Sequence, residues 1–340
     1  MRDTIRWGVM GTGWIAEKFC GALRSLEGYG AQLYAVGSRK KETADAFAAR
    51  HGFARAYGSY EELAADPNVD VVYIATPHIT HAELSIAALE AGKPVLCEKP
   101  MAIDPESLAA VLAAAKRCGS LFLEGYMYRW HPQTAKLLEL LRRNAVGEIN
   151  LIESAMGFAA KYNPADRLFN PALGGGAVWD IGGYPLSMAM LVAGAALGTD
   201  PAPPDCFTCG GVTAPGNIDL SSCAIAVWKD RIVAQLACSC GATLDPALRI
   251  HGSAGRIVVP NPWVCNRTEP ENGLIRIERE SGVEEIRVPA DRTSFGYEAD
   301  GFARLLASGA REAAAAPFTN AESLSLNRLL CRWRETVTAG

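Results

Sequence analysis

The sequence predicts an α/β protein: an N-terminal Rossmann domain on a doubly wound parallel sheet, then an α+β domain with a large, mostly antiparallel open sheet. Three observations predict it. Short apolar runs alternate with helical patterns through the first 125 residues. A glycine turn, Gly11-Thr-Gly13-Trp-Ile-Ala16, joins the first apolar run to the first helical pattern. Beyond Gly125 the alternation gives way to strand-like runs separated by turns. The domains are therefore expected at 1–125, a dinucleotide-binding Rossmann domain, and 126–340, an α+β domain. The last helices have the option of packing back on the first domain.

Ile5–Met10 reads as a strand, and Ile15, Phe19, Leu23 and Leu26 follow helical spacing after it. Gln32–Gly37 is a second strand, and the alanine-rich helix behind it stops at Gly52. Ser59-Tyr-Glu-Glu62 has the form of a capping box. Val69–Ala75 is apolar enough for a parallel strand buried on both faces. A helix from Thr80 to Ala91 stops at Gly92, and Pro94–Cys97 is the next strand. Asp104-Pro105 supplies an N-cap and a first-turn proline for a helix ending at Gly119, and Leu121–Glu124 closes the series.

In the second domain, a helix over Pro132–Arg143 leads into the alternating strand Glu148–Phe158. A glycine-rich segment, a second helix and the proline-rich loop Thr199–Asp205 follow. Strands are expected at Cys223–Trp228, Ile232–Cys240, Leu248–His251, Arg256–Val259, Leu274–Glu278 and Glu284–Val288. Helices near Tyr297–Ala307 and Ala321–Val337 end the chain.

Composition narrows the function classes. The 340 residues carry 33 basic and 37 acidic side chains, a net charge of −4, which argues against a nucleic-acid binder or a polybasic membrane surface. The most apolar stretch, Met188–Gly198, is shorter than a membrane span of about 18–20 residues. MRDTIRWGVMGTG has charges and no apolar signal core, so a cytoplasmic setting is expected. Among ten cysteines, Cys20, Cys97, Cys118, Cys223, Cys238 and Cys331 sit in apolar patterns as small hydrophobes. Cys206-Phe-Thr-Cys209 and Cys238-Ser-Cys240 offer four thiolates, but on alternating strands and without a knuckle's turn glycines or histidines. No metal is expected.

In the glycine turn, Gly11 permits the tight bend, Gly13 lets backbone N–H groups approach a pyrophosphate, and Ala16 lets helix and strand pack closely. Thr12, Trp14 and Ile15 complete the phosphate-binding segment at the helix N-terminus. The end of the second strand normally carries a carboxylate for the adenosine ribose. Here it reads Val36-Gly37-Ser38-Arg39-Lys40-Lys41. Ser38 can donate to a 2′-phosphate and Arg39 can pair or stack with it, so NADP is favoured over NAD. A solvated basic helix start is the plain alternative, and it suits Lys40 and Lys41.

Taken in order, Gly11–Ala16, Thr76-Pro77-His78 with His81, and Glu98-Lys99-Pro100 resemble the glucose–fructose oxidoreductase/inositol dehydrogenase (Gfo/Idh/MocA) family. Glu124-Gly-Tyr-Met-Tyr-Arg-Trp-His-Pro132 and Gly174-Gly-Gly-Ala-Val-Trp-Asp180-Ile-Gly-Gly-Tyr184-Pro185 are similar to its dimeric dihydrodiol dehydrogenase and NADP-dependent D-xylose dehydrogenase branch. Where inositol dehydrogenase-like members have histidine after Asp-x-Gly-x, this chain has Tyr184, as that branch does.

The resemblance implies hydride transfer between a nicotinamide and a secondary alcohol, which needs a proton acceptor and a group that stabilises the developing alkoxide. Lys99 and Tyr184 can supply both. A free tyrosine titrates near ~10, and a neighbouring ammonium lowers that value. The preferred assignment makes Tyr184 the acid/base and Lys99 its electrostatic partner; in the alternative, Lys99 transfers the proton and Tyr184 holds the substrate. Lys99 follows a central strand at its carboxyl end, where ligands bind in open α/β sheets. The resemblance also implies a cis Lys99-Pro100 bond. Asp180 and Tyr184, four apart, share one helical face, with Asp180 either a sugar-hydroxyl acceptor or a structural cap. Gly182 and Gly183 weaken that helix, and Pro185 either kinks it or starts its next segment.

Glu98 is expected at the nicotinamide ribose, with Thr76, Pro77 and His78 lining the cofactor cleft. His81 is either a ligand or a helix-start residue. Arg129, with His131, is either a cofactor or substrate contact or part of a structural interface. Phe158, Arg167 and Trp263, with the loops Lys161–Leu173 and Pro260–Glu271, are candidates for the substrate pocket.

The leading function is thus an NADP-preferring oxidoreductase acting on a secondary alcohol or ketone of a sugar, sugar derivative or cyclic trans-diol. The rivals are a glycosidase of the same fold that retains NAD, and a non-catalytic NADP or sugar sensor. A homodimer or higher assembly through the open sheet is the expected state.

Overall fold

The computed structural model describes residues 4–311, 314 and 316–339, apart from Glu27, Tyr29 and 264–270. It divides into two compact units. Residues up to Trp130 together with 291–323 form the first, and His131 onward with 271–290 and the end of the chain from Leu324 form the second. The division falls at Trp130/His131, five residues past the boundary read from the sequence, and the segment 291–323 belongs to the first unit.

The first unit is built on β1 (Ile5–Met10), α1 (Trp14–Arg24), β2 (Ala31–Gly37), α2 (Lys41–His51), β3 (Arg55–Tyr57), α3 (Tyr60–Ala65), β4 (Val71–Ile74), α4 (His81–Glu90), β5 (Val95–Glu98), α5 (Pro105–Cys118) and β6 (Phe122–Gly125). Its six strands are all parallel, in the order β3-β2-β1-β4-β5-β6. The order reverses between β1 and β4, and the crevice at that switch point is where such sheets bind ligands. Every residue of β4, β5 and β6 is buried, as helices on both faces require.

The caps follow the local sequence. Ser59 accepts the Glu62 N–H at 3.2 Å and Asp104 accepts that of Ser107 at 2.7 Å, while Gly52 and Gly119 end their helices in the left-handed conformation. The three-residue edge strand β3 was not among the sequence-derived strands, because Arg-Ala-Tyr has no apolar run to reveal it.

The second unit contains α6 (Pro132–Arg142), β7 (Ile149–Gly157), α7 (Gly183–Leu197), β8 (Cys206–Ala214), β9 (Ile218–Trp228), β10 (Ile232–Ser239), β11 (Leu248–Gly252), β12 (Gly255–Val259), β13 (Gly273–Arg279) and β14 (Gly282–Val288). The eight strands run β14-β13-β12-β11-β7-β10-β9-β8, antiparallel except for the β7–β10 pair. One face packs on α6 and α7. The other is open: Val212 is 61% and Ile225 52% exposed. β9 starts five residues before the strand read from the sequence, because Asp219, Ser221 and Ser222 interrupt its apolar alternation.

After these come α8 (Ser294–Ala307), in the first unit, and α9 (Asn320–Thr338), whose first turn lies in the first unit and whose remainder lies in the second. α8 packs on α1 and on the short turn Met127–Trp130. The helical run Pro171–Leu197 is long and apolar enough to cross a membrane, which Met188–Gly198 alone did not suggest. With 83% of its most apolar window buried, it is also what the core helix of a folded domain looks like. Cys118 and Cys223 are exposed rather than packed: one ends α5 and the other faces the open side of β9.

Candidate active site

In the first unit the strand ends gather the sequence motifs. Gly11 leaves β1 at φ 108°, and a Cβ there would lie 2.6 Å from the Ala75 carbonyl beside the end of β4. Only glycine meets both conditions. Gly13 is different: nothing stands within 4 Å of where its Cβ would be, and as N-cap of α1 it offers no side-chain acceptor to the helix. Open space in front of a helix N-terminus suits a pyrophosphate. Thr12 is half-buried and Trp14 exposed, with Ile15 in the first turn and Ala16 fully buried against the sheet. At the end of β2, Ser38 is buried, Arg39 exposed, and no carboxylate stands between Gly37 and Lys41. These residues fit an NAD(P) dinucleotide.

Next to them, Glu98 ends β5. Its carboxylate accepts the Tyr73 hydroxyl at 2.6 Å and the Lys99 backbone N–H at 3.3 Å. Lys99 follows, half-buried, and its bond to Pro100 is cis. Behind it lies Glu124 at the end of β6, which accepts the Met101 N–H at 2.9 Å. Burial pushes the Glu124 carboxyl up to about 7, against the hydrogen bond from the Met101 N–H and the Lys99 charge. Thr76 and Pro77 lead into the turn at His78, where the Thr80 hydroxyl donates at 2.8 Å.

His81 and Arg129 are both engaged within the fold. His81 opens α4 fully buried, with one ring nitrogen 2.8 Å from the Pro100 carbonyl and the other 2.8 Å from that of Thr76. It ties the loop after β4 to the loop after β5. The Arg129 guanidinium is buried on the Glu322 carboxylate at 2.8 Å and the Pro317 carbonyl at 2.6 Å, over the Phe318 ring. Both side chains hold segments of the first unit together.

In the second unit, Asp180 lies in a π-helical turn, Val178–Gly182, which runs directly into α7 and Tyr184. Pro185 explains the turn: it has no N–H for the Ile181 carbonyl, so the regular ladder cannot continue through it. Arg167 sets two N–H groups 3.1 Å from one Asp180 oxygen. The Asp180 carboxylate is buried, while the arginine is 48% exposed. Tyr184, 3% exposed, meets Trp263 edge-to-face at 5.9 Å, and Trp263 is fixed by its N–H on the Ala155 carbonyl. Phe158 is exposed just past β7. His131 begins the second unit as the N-cap of α6. Of the loop Pro260–Glu271, residues 264–270, and with them Cys265, lie outside the described part of the chain.

Sequence reasoning missed three groups. Tyr73 is the polar letter in an otherwise apolar strand, and that interruption was the available signal. Glu298 sits on the buried face of α8 between Phe295 and Phe302, fully buried, with no hydrogen-bond partner among the described residues. Burial and the nearby Glu98 charge push its carboxyl well above the usual range. Asp219 carried no signal beyond being acidic within a strand. Among the described residues no cluster of three or more His, Cys, Asp or Glu side chains can hold a metal.

Residues 5–126 match the family described as oxidoreductase family, NAD-binding Rossmann fold, and residues 134–258 match the GFO/IDH/MocA C-terminal domain. The chain belongs to the Gfo/Idh/MocA family. As a Gfo/Idh/MocA protein it is an NAD(P)-dependent oxidoreductase. It is similar to trans-1,2-dihydrobenzene-1,2-diol dehydrogenase of Danio rerio, 32% identical over 91% of this chain and 90% of that one. The same enzyme of Xenopus tropicalis is 30% identical over 90% and 91%. Among solved structures it resembles KijD10, a 3-ketoreductase from Actinomadura kijaniata in complex with NADP and TDP-benzene. That likeness has a TM-score of 0.86 and 27% identity, and covers 98% of both chains.

Proposed function

We propose that the protein is an NADP-preferring dehydrogenase or reductase acting on a secondary alcohol or ketone of a sugar, sugar derivative or cyclic trans-diol. The observation that carries this reading is Lys99, set directly after the buried end of β5, on the edge of the parallel sheet where the glycine motif also emerges. Gly11 to Ile15 would hold the pyrophosphate, Ser38 and Arg39 the 2′-phosphate, and Glu98 the nicotinamide ribose. Thr76, Pro77 and His78 line the same strand-end region. The bound nicotinamide supplies the hydride chemistry.

The chain's own residues handle the proton. Oxidation of a secondary alcohol releases the hydroxyl proton, and reduction of the ketone takes it back. Tyr184 is the acid/base in this reading, its ring fixed by Trp263, and Lys99 is the cation that stabilises the alkoxide. Asp180, oriented by Arg167, accepts from a substrate hydroxyl. The named activities of the relatives, a cyclic trans-diol dehydrogenase and a ketoreductase solved with NADP, support the substrate class and the cofactor.

A panel of polyols and dihydrodiols with NADP⁺ and NAD⁺ in parallel tests the proposal. Reduced cofactor should accumulate faster with NADP⁺ on at least one member. Sugar release with no net change in cofactor would replace it with the glycosidase reading, and binding without turnover would replace it with a sensor.

The same reading extends to assembly as a homodimer through the open face of the eight-stranded sheet. Leu151, Ala155, Val227, Val233 and Ala237 join Ile225 there, on neighbouring positions of β7, β9 and β10. An Ile225→Asp variant should shift the light-scattering mass from dimer to monomer; a mass that is monomeric from the start sinks the assembly. No disulfide joins the described cysteines, which supports a reducing, cytoplasmic setting.

A further inference from the structure

The helix that carries Asp180 and Tyr184 begins without a cap of its own. Residues 174–176 are all glycine. Gly176, whose carbonyl accepts the Asp180 N–H at 3.1 Å, stands where Ser, Thr, Asp or Asn usually supplies the acceptor. The leading N–H groups of a helix have no partner within it. That of Val178 goes instead to an Asp219 oxygen at 2.6 Å, from β9 and 41 residues away in sequence. Asp219 is 0% exposed, and its other oxygen lies 3.5 Å from Arg334 of α9. Gly176 has φ 119°, and a Cβ there would be 2.0 Å from that carboxylate. The missing side chain therefore makes room for an acceptor brought in by another element.

We propose that Asp219 is a positioning residue: it anchors the start of this helix and thereby sets Asp180 and Tyr184 in working register. The positioning role rests on the oxidoreductase reading above; the anchor itself does not. As a carboxylate, Asp219 accepts from the backbone and meets the positive end of the helix dipole. Protonation turns an acceptor oxygen into a donor and removes the charge facing Arg334. Burial pushes its carboxyl up to about 6, with the Val178 hydrogen bond and Arg334 opposing the rise. The other titratable groups near it are Cys238 and Cys240, whose buried thiols are pushed up and stay uncharged at neutral pH. Loss of the anchor is thus expected below about pH 6.

The test combines hydrogen exchange of the segment 177–183 with steady-state kinetics between about pH 5 and pH 8, for the unmodified protein, Asp219→Asn, Asp219→Ala and Arg334→Gln. The unmodified protein should lose protection of that segment, and turnover with it, as pH falls through the anchor's titration. Asp219→Asn should show no such step, and should lose about 10²-fold in kcat with NADP affinity held within about twofold. Arg334→Gln should move the step to higher pH, because the guanidinium lowers the Asp219 pKa. Unchanged exchange in Asp219→Ala overturns the anchor. Lost protection with full turnover overturns the positioning role. If the Asp219 variants do not fold, an unmoved step in Arg334→Gln overturns the proposal. If the unmodified protein turns over no member of the panel, the oxidoreductase reading fails, and the exchange arm decides the anchor by itself.

Discussion

The two units organise their polar side chains in different ways. In the first, parallel strands end side by side, so Tyr73, Glu98, His81 and Glu124 reach the backbone or side chains of adjacent strand-end loops. In the second, Asp180 and Tyr184 stand on one helix start, and the groups that fix them come from Arg167, Trp263 and Asp219, on three separate segments. A strand-end site is assembled by topology, because each βα loop emerges at the same edge. A helix-start site depends on whichever elements pack beside it. The first arrangement repeats wherever the motifs repeat; the second belongs to this chain's packing.

The largest test of the contrast is chemical. Lys99→Ala and Tyr184→Phe should each lower kcat by about 10²–10⁴-fold, one from each unit, measured with a good substrate at saturating NADP⁺. Wild-type turnover in both would remove the catalytic assignment. A smaller effect is confined to the first unit: Arg39→Asp should weaken NADP⁺ binding about 10–100-fold, as expected for losing a charge-assisted hydrogen bond, and leave NAD⁺ little changed in a fluorescence titration. Equal weakening of both cofactors would return Arg39 to a solvated helix start.

The two motif glycines sharpen the same boundary between fold and ligand. Gly11→Ala meets a positive φ and the Ala75 carbonyl, and should cost about 1–3 kcal/mol of stability by denaturant titration. Gly13→Ala meets open space, so stability should stay within about 0.5 kcal/mol while cofactor affinity falls. If Gly13→Ala binds NADP⁺ as the unmodified protein does, that space is not the pyrophosphate seat.

The smallest effect concerns Glu298. Its folded pKa is raised well above the unfolded value, so its contribution to stability is complete below the unfolded pKa and is lost as pH rises toward the folded one. Glu298→Gln removes that dependence, and its Tm should exceed the unmodified protein's by a margin that grows from pH 5 to pH 8. A margin that shrinks with pH would mean that the carboxyl is ionised and paired.

Much of the first unit was legible because its signals are local. The Gly11–Ala16 turn, the Ser59 and Asp104 caps and the apolar run Val69–Ala75 each specify their own conformation within a few residues. β3 was not legible, because an edge strand of three residues pairs through backbone atoms that any side chain allows. In the site, Lys99 and Tyr184 could be singled out from motif positions. The commitment of His81 and Arg129 could not, since it depends on carbonyls and a carboxylate supplied by distant segments. Arg129 meets Glu322 across 193 residues of chain.

The sequence by itself determined the element types, the parallel topology of the nucleotide unit and the chemical letters at the strand ends, because periodicity and turn chemistry act over short distances. Only the tertiary structure decided which of those letters are already engaged. It buried the Glu298 carboxyl in α8 and left Gly13 facing open space. It also brought the acceptor for an uncapped helix from a strand 41 residues away. Desolvation and hydrogen-bond partnership are properties of the packed environment, and no window of sequence contains them.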